Sequence, residues 1–240
     1  QLLECFPWSS KIFKCLNHQK KLTFTFELMN SKSLLFFAGV VVVVSMVMYY
    51  SLTSEQIDTD YLTEIVEFRH KKDLRFKKNA DDSPLDKAGM EAFDSLPYFP
   101  PNAAYRIQAD YERLKSNDVV NIPTTSGGKP QAYVKYAKAT FRLEGKEHSV
   151  SLLKPVENVK SQTLYLFFRD ATSGKETYGG GRQVEVKEGK TACIIDFNMA
   201  FNPYCAYNNY YICPIPPQEN TISVPIRAGE KYDSKKVLED

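Results

Sequence analysis

The sequence has few histidines and almost no excess of charge. Its 240 residues include 3 histidines, and the formal net charge at pH 7 is +2. Binding to the phosphate backbone of nucleic acids requires a strongly basic surface, so we expect no nucleic-acid partner. Cys205 and Cys213 would supply only half of a zinc site, and the outer domain offers only His70 and His148 to complete it. We therefore predict no metal ion and no cofactor.

The sequence also lacks a phosphate-binding loop and any internal repeat. Residues 179–181 are three consecutive glycines, but a strand pattern follows them, whereas a P-loop runs into a helix. We expect a tight turn with close backbone approach there. The apolar content of 43%, with 15 Phe and 15 Tyr, is ample for one hydrophobic core, so a globular domain is expected.

An uncharged apolar run covers residues 34–50, LLFFAGVVVVVSMVMYY. Lysines precede the run and acidic residues follow it, so the positive-inside rule places the following chain outside the cytoplasm. We predict three parts: a cytoplasmic or spurious extension (1–32), a transmembrane anchor or uncleaved signal (33–51), and an extracytoplasmic globular domain (52–240). The expected location is the periplasmic side of the inner membrane, with the membrane as a partner through residues 34–50.

The periodicity after residue 58 changes from helical to extended. Residues 59–78 predict an amphipathic helix with Tyr61, Leu62, Ile65 and Val66 on its apolar face, and Ser83 is expected to cap a short second helix. From residue 104 onward, period-two segments predict seven strands, the last being TISVPIR, with a hairpin expected around Glu144–Gly145–Lys146. The predicted fold is mainly β (α+β): an antiparallel β-sandwich or partly closed barrel preceded by two helices.

Two polar segments, 167–182 and 196–220, carry the side chains suited to chemistry. Asp196 and Glu219 could act as acid and base, or Cys205 as a nucleophile. Cys205 and Cys213 could instead form a disulfide outside the cytoplasm. The alternative interpretation is that these side chains hold irregular loops, as Asn198 and Asn202 could do by bonding nearby backbone.

The order of several motifs resembles a bacterial family known as domain of unknown function 1684. The matching segments are FRHKKDLRF, DSPL, F-x2-LPYFP, FRDATSGKETYGGGR, DFNMAFNPYCAY, CPIPPQEN and AGEKY, between about residues 62 and 232. The resemblance implies no established reaction. It implies that the following residues belong to a family pattern: Arg69, Lys72, Asp73, Arg169, Asp170, Thr172, Tyr178, Arg182, Asp196, Asn198, Asn202, Cys205, Tyr207, Cys213, Glu219, Asn220 and Glu230.

Three functions remain open from the sequence. The first is a binding module whose pocket, lined by segments 167–182 and 196–220, takes a small polar or anionic ligand; arginine forks suit carboxylate or phosphate. Its expected ligand-binding residues are Arg69, Lys72, Arg169, Asp170, Tyr178, Arg182, Asn198, Asn202, Tyr207 and Asn220. The second is a hydrolase that uses Asp196 with Glu219, or Cys205. The third is a structural domain without an active site.

Overall fold

One antiparallel sheet of seven strands dominates the computed structural model, which describes residues 31–78 and 81–232. The strands are β1 (Arg106–Arg113), β2 (Val119–Ile122), β3 (Gln131–Leu143), β4 (Lys146–Pro155), β5 (Thr163–Phe168), β6 (Arg182–Lys187) and β7 (Ala192–Asp196). They pair in the order β6-β5-β4-β3-β1-β7, and β2 pairs with β3. Gln183 and Phe201 then exchange two 2.9 Å backbone hydrogen bonds beyond the end of β7. The sheet is thus a nearly closed barrel, the second of the two architectures expected.

The barrel interior is filled by apolar side chains. In β1 the buried residues are Ile107, Ala109 and Tyr111, which alternate with exposed ones as the two-residue repeat requires. Leu152 and Leu164 from other strands join them in the same core cluster. A barrel of this size closes with just enough room for its own side chains. The barrel is therefore a packed core, and polar side chains collect at its ends and in its loops.

A two-residue turn joins β3 to β4. Leu143 pairs with Lys146, and both turn residues have left-handed backbone, with φ of 50° at Glu144 and 75° at Gly145. That conformation matches the twist of the flanking strands, and glycine adopts it without strain. The hairpin expected at this position is confirmed.

The first helix, α1 (Ser31–Lys78), includes the segment predicted at 59–78. Tyr61, Ile65, Lys72 and Phe76 are its buried residues in that segment. The prediction was wrong about Leu62 and Val66, which are 44% and 60% exposed. The face that packs begins at Tyr61 and Ile65 and continues to Lys72, so a charged residue lies on the buried stripe.

Two further predictions need correction. The second helix, α2 (Lys87–Ala92), is capped by Asp86, whose carboxylate accepts a 2.7 Å bond from Gly89 N–H. Ser83 instead donates to the carbonyl of Phe76 at 2.8 Å. The expected strand TISVPIR is not among the seven, because this segment forms only an isolated bridge, between Thr221 and Arg169, the residue that follows β5. The short strand β2 was missed.

The chain divides into two units, Gln1–Ile57 and Asp58–Asp240, and α1 begins in the first and ends in the second. In the first unit, residues 35–49 are helical and exposed. Within the described part of the chain, no helix meets both the length and the apolar character needed to cross a membrane. Of the extension predicted at residues 1–32, residues 1–30 lie outside the described residues.

Candidate functional site

The sheet register brings the polar motifs to one end of the barrel. Arg106 at the start of β1 pairs with Asp196 at the end of β7, and Phe168 at the end of β5 pairs with Arg182 at the start of β6. We call this the motif end. The segments that follow β5 and β7, residues 169–181 and 197–232, continue from these strand ends.

Arg182 and Asp170 form a fully buried ion pair at the motif end. The Arg182 Nη2–Asp170 Oδ2 distance is 2.9 Å, and both side chains are 0% exposed. The guanidinium also donates to the carbonyl oxygens of Ile226, Ala228 and Glu230. Arg182 therefore fastens the C-terminal segment to the barrel. Its Nη1 and Nη2 groups donate only to groups of the protein, and its Nε has no partner in the described structure, so we interpret Arg182 and Asp170 as structural residues.

Lys72 and Glu230 form a second buried ion pair, between α1 and the C-terminal segment. Lys72 Nζ lies 2.5 Å from Glu230 Oε2. Burial lowers the pKa of Lys72 and raises the pKa of Glu230, and the attraction between the two charges opposes both shifts. Asn202 donates its backbone and side-chain N–H groups to the same carboxylate at 3.2 and 3.1 Å, and its amide also reaches Tyr207 Oη. Lys72, Asn202 and Tyr207 thus dock α1 onto the barrel.

Asp196 and Asn198 form a third network under the first turns of α1 that pack on the barrel. Asp196 Oδ1 accepts from Tyr61 Oη and from Asn198 N–H, each at 3.0 Å. The Asn198 side chain bonds both the N–H and the carbonyl of Asn102, at 2.9 and 2.8 Å. Asn198 is fully buried, and its side-chain amide holds the backbone at Asn102 in place.

Asn220 replaces missing sheet hydrogen bonds between β4 and β5. These strands share a single pair in register, Leu153 with Tyr165. The Asn220 amide accepts from Ser151 N–H at 2.7 Å and donates to the carbonyls of Ser151 and Phe167 at 3.0 and 2.9 Å. A side-chain amide carries the same donor and acceptor as a peptide, so it can bridge the opened strands.

The two carboxylates proposed as acid and base belong to separate networks. Glu219 is exposed, pairs with Lys135 at 3.1 Å and accepts from Ser151 Oγ at 3.4 Å. Backbone and Lys135 hydrogen bonds outweigh its burial and lower the pKa of Glu219. Asp196 bonds Tyr61 and Asn198 and shares no partner with Glu219 among the described residues. The structure does not join them in one two-carboxylate site.

Two arginines at the junction of α1 and the barrel retain unused donors. The Arg69 guanidinium lies 4.5 Å from the Tyr98 ring, and only a long 3.5 Å contact links its Nη2 to the carbonyl of Asn198. Its Nε is buried without a partner. Arg106 covers the Tyr61 ring at 4.9 Å and is 3.8 Å from Asp196 Oδ2. We call these two arginines, with Tyr61, Tyr98 and Asp196, the junction site.

The junction site combines two predicted site residues, Arg69 and Asp196, with residues that the sequence analysis did not place in a site. Burial lowers the pKa of Arg69, while Tyr98, Tyr61 and Asp196 oppose that shift, so Arg69 and Arg106 share Tyr61 and Asp196 as neighbours. Arg106 and Tyr98 were missed, and Tyr61 was expected only as an apolar contact. Arg106 opens a strand, where an arginine is ordinarily exposed; only its pairing with Asp196 reveals its neighbours.

The other predicted residues lie near the 169–181 turn. Arg169 is half-buried, and its Nε has no partner. Its side chain packs beside Gly181, whose φ of 96° and close approach to Phe168 O and Pro216 leave no room for a Cβ. Tyr178 Oη lies 3.4 Å from the carbonyl of Cys205 and 3.9 Å from its Sγ. Tyr178 therefore faces the cysteine segment.

Cys205 and Cys213 lie side by side as free thiols, so the expected disulfide is not formed in this structure. Cys205 N–H donates to Cys213 Sγ at 3.2 Å, and both residues are 7% exposed. Hydrogen bonds from the Cys213 thiol, Tyr178 and Thr125 outweigh burial and lower the pKa of Cys205 to about 7, while the same thiol contact and burial raise the pKa of Cys213.

A surface depression of about 740 Å³ lies away from all these residues. Its lining comes from the end of α1 and from α2, including Lys77, Leu85 and Met90. None of the predicted ligand-binding residues lines it. Among the described residues, no group of three or more His, Cys, Asp or Glu side chains is placed to hold a metal ion.

The fold and these motifs define an uncharacterised barrel family. The sequence model described as "Protein of unknown function (DUF1684)" matches residues 91–231, and the chain belongs to this family. The solution NMR structure of an uncharacterized protein from Haloarcula marismortui is similar at 30% sequence identity and a TM-score of 0.60. The alignment covers 77% of this chain and 99% of that one. No curated protein matches the sequence.

Proposed function

We propose that the chain is a binding module that takes a small carboxylate- or phosphate-bearing ligand at the junction site. The observation that carries the proposal is the unsatisfied guanidinium of Arg69, with a buried Nε that has no partner in the described structure. An unpaired buried donor is costly, typically about 1–3 kcal/mol, so a site that gains an acceptor on binding recovers that loss.

Arg106 supports the same proposal as a second guanidinium near Asp196. Its contact with Asp196 is long, at 3.8 Å, and its side chain is 46% exposed. Asp196 already accepts bonds from Tyr61 and Asn198, so its charge is only partly available to the arginines. Asp196 and Asp73 lie near these guanidinium groups, but both carboxylates already accept hydrogen bonds from other groups. The guanidinium donors that remain suit an anionic group.

The experiment is calorimetric titration of the purified chain with inorganic phosphate, succinate and a neutral amide of similar size. Arg69→Met and Arg106→Met should each weaken binding of the anions by roughly tenfold or more, the loss expected for one charge-assisted hydrogen bond. Arg113→Met is the matched control, because Arg113 ends the strand that Arg106 begins and also covers a tyrosine ring. Equal loss in all three variants, or no anion binding by the wild type, contradicts the proposal.

We also propose that residues 34–50 attach the chain to a membrane, with the barrel on the extracytoplasmic side. The support is the uncharged run itself and the exposure of the apolar side chains along its described part, such as Leu35 at 73% and Val42 at 64%. Substituting Val42 and Val44 by lysine should move the full chain from the membrane fraction to the soluble fraction. Recovery of the unmodified chain in the soluble fraction contradicts this proposal.

A further inference from the structure

The cysteine pair lies where two loop segments meet beside the barrel. Thr125 N–H donates to the carbonyl of Cys213 at 2.9 Å, and Cys213 N–H donates to Thr125 Oγ1 at 3.1 Å. Cys205 belongs to a single turn of 3₁₀ helix, Tyr204–Ala206. Both backbones are therefore fixed around the two sulfur atoms.

The loop between the two cysteines is partly exposed, at Asn209, Tyr210 and Ile212. Tyr210 is 94% exposed and Ile212 is 49% exposed, whereas each cysteine is 7% exposed. A thiol pair under a short exposed loop is shielded from large reagents but lies close to water.

The surroundings of the pair favour a reactive thiolate on Cys205. Tyr178 Oη points at the Cys205 sulfur from 3.9 Å, and no histidine contacts either cysteine within the described residues. Polar groups lower the pKa of Cys205 to about 7, so a large fraction is thiolate at neutral pH. Cys193 is the opposite case, because burial raises its pKa to about 11.

We propose that Cys205 and Cys213 are a peroxide-reactive pair, in which Cys205 attacks the peroxide and Cys213 resolves the product to a disulfide. The inference is independent of the junction site, and it concerns a reaction rather than a bound ligand.

The steps balance with hydrogen peroxide as the oxidant. The Cys205 thiolate attacks one peroxide oxygen, an S–O bond forms, the O–O bond breaks, and the departing hydroxide takes a proton to leave as water. The Cys213 sulfur then attacks Cys205 sulfur, an S–S bond forms, the S–O bond breaks, and a second water leaves with the Cys213 proton. The two thiols lose two electrons, and the peroxide gains them.

The first test maps the cysteines of the reduced full chain after treatment with hydrogen peroxide, alkylation and peptide mass spectrometry. We expect a peptide cross-link between Cys205 and Cys213 that dithiothreitol reverses, with Cys193 still alkylated in the same sample. If Cys205 and Cys213 both remain alkylatable under conditions that oxidise glutathione, the proposal is overturned.

The second test assigns the roles with dimedone, which traps sulfenic acids. In Cys213→Ser, Cys205 should be labelled at least about tenfold faster than Cys193 at pH 7, because its thiolate fraction is larger. In Cys205→Ser, Cys213 should stay unlabelled; labelling at the rate of Cys205 overturns the assigned order of attack.

Tyr178→Phe tests the same assignment in a chain that keeps both thiols. It should slow cross-linking several-fold and move the pH profile of the reaction to higher pH, because the thiolate loses a donor. An unchanged profile overturns the part assigned to Tyr178, and with it the preference for Cys205 as the attacking thiol. Circular dichroism of each variant confirms that it is folded.

Discussion

Arg182 and Arg69 are two arginines near the same end of one barrel. Each has a buried Nε without a hydrogen-bond partner in the described structure, and they differ in what their Nη groups contact. Arg182 is fully buried, paired with Asp170, and donates to three carbonyl oxygens. Arg69 stacks on Tyr98, makes one long hydrogen bond, and keeps a buried donor without a partner. Both lie in motifs that the sequence analysis singled out, so such a motif does not tell a structural arginine from one that can bind a ligand.

The ion pair of Arg182 with Asp170 should give the largest effect on stability. Asp170→Ala leaves the Arg182 charge buried without a partner, and such a loss destabilises by about 3–5 kcal/mol. Urea unfolding measures the change in the free energy of unfolding. Asp170→Asn is the control, because it keeps an oxygen that can accept from Thr172 N–H and Ile226 N–H and removes the charge. A loss close to that of Asp170→Ala assigns the effect to the charge; a loss near zero would mean that the charge pairing is not the cause.

Removal of Lys72 should give a smaller loss that depends on pH. In Lys72→Met the Glu230 carboxyl keeps a pKa raised by burial, without the opposing lysine. Folding then favours the protonated acid, so stability is fully present below the unfolded pKa near 4.5 and is lost as pH rises through the folded value. We expect a loss of about 3 kcal/mol at pH 8 and a smaller one at pH 5.

The matched control for this pH dependence is Lys72→Met combined with Glu230→Gln. The double variant has no carboxyl to titrate at this position, so the difference between pH 5 and pH 8 that Lys72→Met adds should disappear. Unfolding by urea at both pH values compares the two variants with the wild type. A persistent difference would place the titrating group elsewhere.

Asn220 should have an intermediate effect, because it bridges strands and carries no charge. Asn220→Ala leaves Ser151 N–H and two carbonyl oxygens without partners, at a loss of about 2 kcal/mol. Hydrogen exchange should show faster opening of the Ser151 amide than of amides in the β3–β4 hairpin. Asn208→Ala is a control, because Asn208 bonds a loop carbonyl at Pro84 and lies outside the sheet.

Arg69 should give the smallest effect on stability, and this result defines the contrast with Arg182. Arg69→Met keeps an unbranched apolar stem over Tyr98 and removes no ion pair in the described structure, so the loss should be below about 1 kcal/mol. The same urea experiment measures it. A loss as large as that of Asp170→Ala would show that Arg69 is a structural residue and would remove the basis for the junction site.

Much of the fold followed from local patterns. The two-residue repeat gave six of the strands, and Glu144–Gly145 gave the hairpin, because side-chain alternation and left-handed turns are local properties. The absent strand TISVPIR shows the limit: its alternation resembles a strand, but Asn220 directs the chain into the opening between β4 and β5. The alternation correctly indicated buried residues in this segment, but the segment does not pair as a strand of the sheet.

The candidate site was less accessible to sequence analysis. The motifs singled out Arg69, Arg182 and Asp196 alike, whereas the sequence did not indicate that Arg106 and Tyr98 would lie beside Asp196 and Arg69. Asp196 is at one end of a strand and Arg106 at the start of another, and only the antiparallel register brings them together.

The sequence by itself determined which side chains are polar, where strands and turns begin, and the family to which the chain belongs, since these depend on composition and short-range order. The tertiary structure decided which polar groups make their hydrogen bonds and ion pairs within the protein. That outcome depends on burial and on partners far apart in the chain, such as Lys72 with Glu230, and the energy of a charge changes with its surroundings far more than with its neighbours in sequence.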